Sequence, residues 1–317
     1  MLFLGTTIDG LQMGLCFGII ALGVYISYSI LDFPDLSVDG TFPLGGVCAT
    51  IFMLRLGINP IIATLLAFFV GMAAGAVTGL LHVKFRISKL LSGIIVMTAL
   101  LSVNLALTKL LTGTGYTTTI FSYRSKGLAG MFGGKAVKIF GESAGTKDMA
   151  TIIILLLAVI FCKVFVDLFK KTKMGYMLGA TGGSERLVTY LGKDPGTYKI
   201  LGISLANGFV SMGGALYSQL YMQYDNNSGS GKVVLALASV IIGMAVFSNI
   251  RFMQKTTAVV LGAIIYSLCL NYLVLVDRDG IYLKLMNAVL FALILIFNDK
   301  ITSFLSKKQI KAGGKNA

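Results

Sequence analysis

The 317-residue chain has no tryptophan, one histidine, four cysteines and four prolines, and only 13% of its residues are charged. Each shortage excludes something. A soluble domain of this size needs a charged coat, whereas a chain dissolved in lipid needs charge only at its loops. With 56% of the residues hydrophobic and 38 of them glycine, the soluble class is excluded. His82, standing beside Lys84 and Arg86, cannot build a histidine metal site alone and reads as a membrane-interface residue. Cys16, Cys48, Cys162 and Cys269 all lie in apolar runs without C-x-x-C spacing. That pattern argues against a disulfide framework or a zinc site and in favour of buried thiols. No Lys or Arg precedes Arg55, so the basic start of a signal peptide is missing. Neither H-E-x-x-H nor G-x-S-x-G occurs, and no intramembrane carboxylates pair outside residues 32–39. An enzyme constellation is therefore not visible, and neither a metal nor a cofactor is expected.

What is present is a series of long apolar runs. A spanning helix needs about 20 apolar residues, because every backbone polar group must be satisfied within the segment. Runs of that kind fall near 11–31, 58–83, 89–112, 149–169, 198–222, 232–248, 256–276 and 281–298, with a shorter one at 42–57. The expected fold is all-α: a polytopic membrane protein of about eight to ten transmembrane helices forming a single transmembrane domain over 1–317. The net charge of +14 lacks the basic stripe with interleaved aromatics that nucleic acid requires, so no nucleic acid is expected.

The excess of Lys and Arg instead marks topology. It collects in the tail 300–317, in 170–199, in 84–89 and at Arg251 and Lys255, which the positive-inside bias places in the cytoplasm. The C-terminus is then cytoplasmic, and 113–148 is a long loop on the outer side. Lys163 and Asp167, four apart on one helix face, read as a structural pair. Gly71, Gly75 and Gly79 form a smooth stripe for close helix packing, expected within one subunit rather than at a dimer seam.

Two segments interrupt the apolar pattern. Asp32-Phe33-Pro34-Asp35-Leu36-Ser37-Val38-Asp39-Gly40-Thr41-Phe42-Pro43 sets three acids and two prolines between apolar runs, which predicts a broken or re-entrant element near 32–43. Each acid facing lipid at the bilayer centre would cost about 2.5–3.5 kcal/mol. Asp35, Ser37, Asp39 and Thr41 are therefore candidates to line an aqueous path, with Asn104 and Asn207 as further polar members. The competing use of these side chains is to cap a half-helix. Asn226 to Val233 resembles a phosphate loop but fails: Asn226 replaces the first glycine and Val233 the magnesium-holding hydroxyl.

The segment 175–195 carries the other signal. Ser184 stands where it can cap a short helix, Gly192 suits the C′ position and Pro195 blocks continuation. Leu187, Tyr190 and Leu191 share one face, with Glu185, Arg186 and Thr189 elsewhere, so the helix is amphipathic and suited to a groove on a soluble partner.

The pattern G-x-x-x-x-A-x-G-G-S-E-x-x-x-x-x-x-G from Gly175, the glycine-rich span with Asn207, Gly208, Gly213 and Gly214, and the run Ala236–Gly243 resemble permease subunits of bacterial ABC importers of the branched-chain amino-acid and ribose type. The resemblance covers roughly residues 8–300. The stretch Leu31–Gly46 is similar to a subgroup served by tryptophan/tyrosine-type binding lipoproteins. It implies that 184–191 is a coupling helix docking on an ABC ATPase subunit through Gly183, Ser184, Glu185, Arg186, Leu187, Tyr190 and Leu191. It further implies a homodimer in the bacterial inner membrane, an extracytoplasmic solute-binding lipoprotein as donor, and an amino acid as solute. The rival class is an ion-coupled secondary transporter, which would show broken helices at corresponding positions of two repeats. Only one broken segment, at 32–43, is evident in the sequence.

Overall fold

The computed structural model describes residues 2–112, 118–120, 136–139, 142–221, 223–247, 253–276 and 285–296. The basic tail 300–317, Arg251 and most of the loop 113–148 lie outside the described residues. Eleven α-helices are seen among those described: α1 (Leu2–Val24), α2 (Val38–Leu54), α3 (Pro60–Val83), α4 (Lys89–Thr112), α5 (Thr146–Lys170), α6 (Lys173–Gly183), α7 (Glu185–Tyr190), α8 (Pro195–Tyr221), α9 (Lys232–Phe247), α10 (Lys255–Val276) and α11 (Leu285–Ile296). A π-helical turn, Tyr25–Ile30, extends α1. Seven helical segments are long and apolar enough to cross a membrane, and α2 and α11 are shorter apolar helices. The architecture is all-α and polytopic. Four short strands, β1 (Thr118–Ile120), β2 (Ala136–Ile139), β3 (Glu142–Gly145) and β4 (Gln223–Asp225), form two antiparallel pairs, β1 with β4 and β2 with β3.

Local chemistry explains most boundaries. α3 starts at Pro60 because Asn59 accepts a hydrogen bond from the Ile61 N–H and proline tolerates the first helical position. α6 starts behind Thr172, whose hydroxyl accepts from the Gly175 N–H. α2 contains Pro43, which cannot bond the Asp39 carbonyl one turn back. That carbonyl lies instead against Gly229, where an added Cβ would stand 1.8 Å from it.

α8 is the axis. It runs antiparallel to α3 along the glycine stripe, with Gly79 on Ile200, Gly75 on Ile203 and Gly71 on Ser211. A Cβ added at each of these glycines would approach to 2.8, 2.6 and 2.3 Å of those residues, so the stripe serves packing inside one subunit. α1 crosses α8 in the opposite sense, Gly23 meeting Ala206 and Gly213 meeting Ile20, and packs antiparallel on α10 through Gly10 at Leu268 and Gly14 at Ile264. α4 runs parallel to α2, joined by Lys89 to Asp32, Asn104 to Gly40 and Arg55 to Leu110. The main buried cluster joins α1, α5 and α8 around Leu15, Leu22, Phe33, Leu155 and Phe209. Outward faces of α3, α4 and α5 expose Ile62, Phe69, Leu91, Leu110, Leu157 and Phe161, an apolar surface that suits lipid.

These directions reveal an inverted duplication. α1 to α4 cross alternately starting from one face, and α8 to α10 cross alternately starting from the other, α9 running antiparallel to α10 with Gly243 at Ala258 and Gly262 at Ser239. α1 packs on α10 as α8 packs on α3. The two short inner helices, α2 and α9, occupy corresponding places, each preceded by a non-helical stretch: 31–37 before α2, and β4 with the 3₁₀ turn Asn226–Gly229 before α9. The expectation of a single broken segment is thus corrected. The second break escaped because its residues are polar without prolines and abut a continuous apolar run.

Two further expectations change and a third holds. The break is shorter than 32–43, since 38–43 is helical. Cys16, Cys48 and Cys162 are buried, but Cys269 is exposed. Lys163 and Asp167 do pair, at 3.4 Å, and Asp167 also accepts from the Thr256 hydroxyl, tying α5 to α10.

Candidate solute path and docking segment

Asp35, Ser37 and Asn207 meet at the centre of the fold, all buried. The Ser37 N–H donates to Asp35 Oδ1 at 2.8 Å, Asn207 Nδ2 donates to Asp35 Oδ2 at 2.6 Å, and the Ser37 hydroxyl donates to Asn207 Oδ1 at 3.2 Å. Asn207 Nδ2 also reaches the Ile203 carbonyl at 3.1 Å. The cluster ties the first break to the middle of α8. Gly93 of α4 closes one side, because a Cβ there would stand 3.2 Å from Asp35 Oδ1 and 2.9 Å from the Leu36 nitrogen.

The other path candidates do not join this cluster. Thr41 donates to the Ser37 carbonyl within its own helix. Asn104 donates to the Gly40 carbonyl at 3.1 Å, while its own Oδ1 has no partner among the described residues. Asp39 turns away from α2 altogether. Its two oxygens accept from the Gly231 N–H at 3.0 Å and the Val233 N–H at 2.9 Å, so a side chain of the first break caps the helix after the second. Beside it, the Lys232 ammonium lies 4.5, 5.2 and 5.1 Å from the ring centres of Phe17, Phe42 and Tyr217. No sequence signal pointed to Lys232, because its surroundings come from residues far apart in the chain.

On the membrane face to which α5 descends, α6 and α7 fold into a compact bracket before α8. Val188 of α7 is fully buried and anchors the helix, while Leu187, Tyr190 and Leu191 are 52%, 87% and 58% exposed. The apolar face therefore points away from the protein. Glu185 and Arg186 are also exposed, and Gly183 and Ser184 form the bend before them. Ser184 holds the N-cap position with the extended backbone that a cap adopts, but its side chain makes no capping bond, and its N–H closes α6 onto Ala180. Gly192 does terminate the helix, at φ +70°, with its N–H on the Thr189 carbonyl.

The cap of this region belongs to Asp194. Its Oδ1 accepts from the Gly196 N–H at 3.0 Å, and its Oδ2 accepts from the Thr197 N–H at 3.1 Å and the Thr197 hydroxyl at 2.9 Å. These bonds, the Gly196 N–H foremost, hold its carboxyl below the ordinary aspartate range. A lowered folded-state pKa means the stabilisation is complete above the unfolded value and is lost as pH falls through the folded one. Asp194→Ala should cost about 1 kcal/mol in thermal stability at neutral pH, with Asp194→Ser restoring most of it. The difference between wild type and Asp194→Ala should shrink on acidification; a gap that grows would remove the cap from the account.

The bracket is wired to the core. Glu185 pairs with Lys199 at 2.7 Å, Lys199 Nζ reaches His82 Nε2 at 3.4 Å, and His82 Nδ1 lies 2.7 Å from the Ile87 carbonyl. Lys199 can donate only if the ring proton sits on Nδ1 and goes to Ile87. The same ring packs edge-on against buried Phe33 at 5.2 Å, two residues before Asp35. His82 is thus a joint between α7, α3 and the first break rather than an interface residue alone.

A lipid-facing bundle built of two inverted halves, each with a broken inner element and no catalytic constellation evident in the sequence, defines a multi-pass transport component. The chain belongs to the family described as branched-chain amino acid transport system, permease component, whose pattern matches residues 6–298. It is similar to a tyrosine transport system permease protein of Clostridioides difficile, with 37% identity over 282 residues, covering 89% of this chain and 88% of the relative. It is also similar to the ribose import permease protein RbsC of Escherichia coli K12, with 24% identity over 267 residues, covering 84% and 77% of the two chains. No solved structure matches.

Proposed function

We propose that the chain is the membrane permease of a bacterial ABC importer in the cytoplasmic membrane, carrying a small solute, an amino acid, inward. An extracytoplasmic binding lipoprotein delivers the solute, and a separate ATPase subunit hydrolyses ATP. The observation that carries the reading is α7: a helix anchored by Val188 and the Glu185–Lys199 pair that presents Leu187, Tyr190 and Leu191 to solvent. An exposed apolar face on a short, braced helix suits a protein groove. The positive-inside bias puts this helix in the cytoplasm, where an ATPase would sit. The 37% identity to a tyrosine transport permease favours an amino acid as solute. Two permease subunits would pair, and ATPase closure would bias them between two packings.

The deciding experiment reconstitutes the purified permease with its ATPase in liposomes and supplies the loaded binding protein outside and ATP inside. Uptake should require all components. Uptake by the permease alone under a sodium or proton gradient would sink the proposal in favour of the ion-coupled class.

Within the same reading, Asp35, Ser37 and Asn207 form the constriction of the solute path, supported from behind by Thr41 and Asn104, with Asp39 holding α9 in place. Asp35→Asn replaces one of two acceptor oxygens by an amide donor and removes a charge-assisted bond of about 1.5–3 kcal/mol. Uptake should fall about tenfold while the amount of folded complex stays level. Unchanged kinetics in a folded Asp35→Asn variant would end the path assignment. Asp39→Asn should instead lower thermal stability by about 1 kcal/mol.

A further inference from the structure

Lys232 is placed unlike any other cation among the described residues. Its stem starts α9 at the second break, and its ammonium is enclosed by Phe17, Phe42 and Tyr217 with Asp39 as the nearby counter-charge. Asp39 spends both oxygens on the Gly231 and Val233 N–H groups. The ammonium carries three donors. It borders a cleft of about 150 Å³ lined by Phe42, Tyr217, Tyr224, Asp225, Ser228 and Lys232. Asp225 lies on β4, on the membrane face away from α7. A second cleft of about 210 Å³, with Met13, Asn271 and Asn287 on its walls, meets Lys232 from the other side.

We propose that this cleft is a binding station for the head group of a carboxylate solute, with the carboxylate on the Lys232 ammonium. The inference rests on the transport reading and adds to it the place where the solute's head group is held. Three features make the site. Donors enclosed by aromatic faces favour an anion that can accept several hydrogen bonds at once. Asp225 on the wall of the same cleft, its Oδ1 accepting from the Asn227 N–H, offers a counter-charge for a solute ammonium. The cleft is also smaller than the roughly 300–1,000 Å³ of pockets that enclose whole ligands. It therefore suits an α-ammonium and α-carboxylate while the solute side chain projects outward. The site lies on the opposite side of the α2 start from the Asp35 cluster, so a solute would meet Lys232 before Asp35 when it arrives from the face away from α7.

The test uses purified full-length permease in lipid nanodiscs, with L-tyrosine, L-tyrosinamide and D-ribose as probes in saturation-transfer NMR. Wild type should bind tyrosine at least about tenfold more tightly than its amide, and Lys232→Gln should reduce that preference to within about twofold. Lys232→Arg, which keeps the charge and donors, should retain it. Equal preference in wild type and Lys232→Gln, or binding of ribose alone irrespective of Lys232, overturns the site. Should Lys232→Gln fail to fold, amine acylation read by mass spectrometry on wild type decides: tyrosine, but not tyrosinamide, should protect Lys232, and absence of protection overturns the site. ATP-driven uptake by the assembled complex is measured alongside. Intact uptake with no Lys232 effect discards the station and leaves the transport reading standing, whereas gradient-driven uptake by the permease alone discards the latter.

Discussion

The double variant Leu187→Asp with Tyr190→Asp is expected to lose copurification with the ATPase subunit and to lose ATP-driven uptake, while the permease itself stays folded. The reason is geometric. Both side chains are exposed and contribute little to the protein's own core, so their replacement leaves the anchoring Val188 and the Glu185–Lys199 pair in place. In a partner's groove each would be buried, and each large apolar side chain is worth about 1.5–3 kcal/mol on burial. Removing two of them forfeits at least about 3 kcal/mol, about a hundredfold in affinity, before the cost of burying two carboxylates is added. Pull-down of the ATPase and uptake into liposomes measure the two effects separately. A folded double variant that still retains its ATPase at wild-type affinity would disqualify α7 as the docking element. Arg186→Ala, which also lies on the exposed surface but outside the apolar face, should have a smaller effect.

Gly75→Leu is expected to abolish the folded protein. A Cβ at this position would stand 2.6 Å from the Ile203 carbonyl and 2.8 Å from the Asn207 Cβ, so a leucine forces α3 off α8. Overpacking of this kind commonly costs about 1–3 kcal/mol even where one or two methylenes are added to a core. Here a four-carbon side chain meets backbone on a helix pair that also positions Asn207, so the loss should be larger. Yield of monodisperse protein in detergent and thermal unfolding give the readout. Gly179→Leu on α6 is the control, because nothing lies within 4 Å of its Cβ position. A Gly75→Leu protein as stable as wild type would contradict the close approach of α3 and α8.

Long apolar runs made most of the helices legible in the sequence alone: 89–112 is reproduced at both ends by α4, and 58–83 differs from α3 by two residues at its start. The reason is that hydropathy and a missing backbone partner act locally. The bracket was only half legible. The turn at Gly192 followed from its sequence, but α6 did not, because Gly175, Gly179, Gly182 and Gly183 weaken helix propensity while its stability comes from packing. A Cβ on Gly182 would stand 2.0 Å from the Ile30 carbonyl, and Leu178 is buried beside Gly202. At the candidate site, the importance of Asp35 and Asn207 was legible from acids and amides inside apolar surroundings. Their union was not, since 172 residues separate them. Asp39 illustrates the same limit: a carboxylate at the start of α2 reads naturally as a cap for α2, and only the tertiary fold turns it toward α9.

Between the Asp35–Asn207 bonds on one side and the Lys232 box on the other lies only the opening of α2, from Ser37 to Phe42, a rise of about 8 Å. Both clusters thus sit within one short stretch of a crossing whose hydrocarbon is roughly 30 Å thick. A solute of net charge one carried across the membrane would gain or lose about 2.3 kcal/mol per 100 mV, whereas a zwitterion held head-first at both clusters would cross at no electrical cost. Imposing a potassium diffusion potential on the liposomes should therefore leave uptake of a neutral amino acid unchanged.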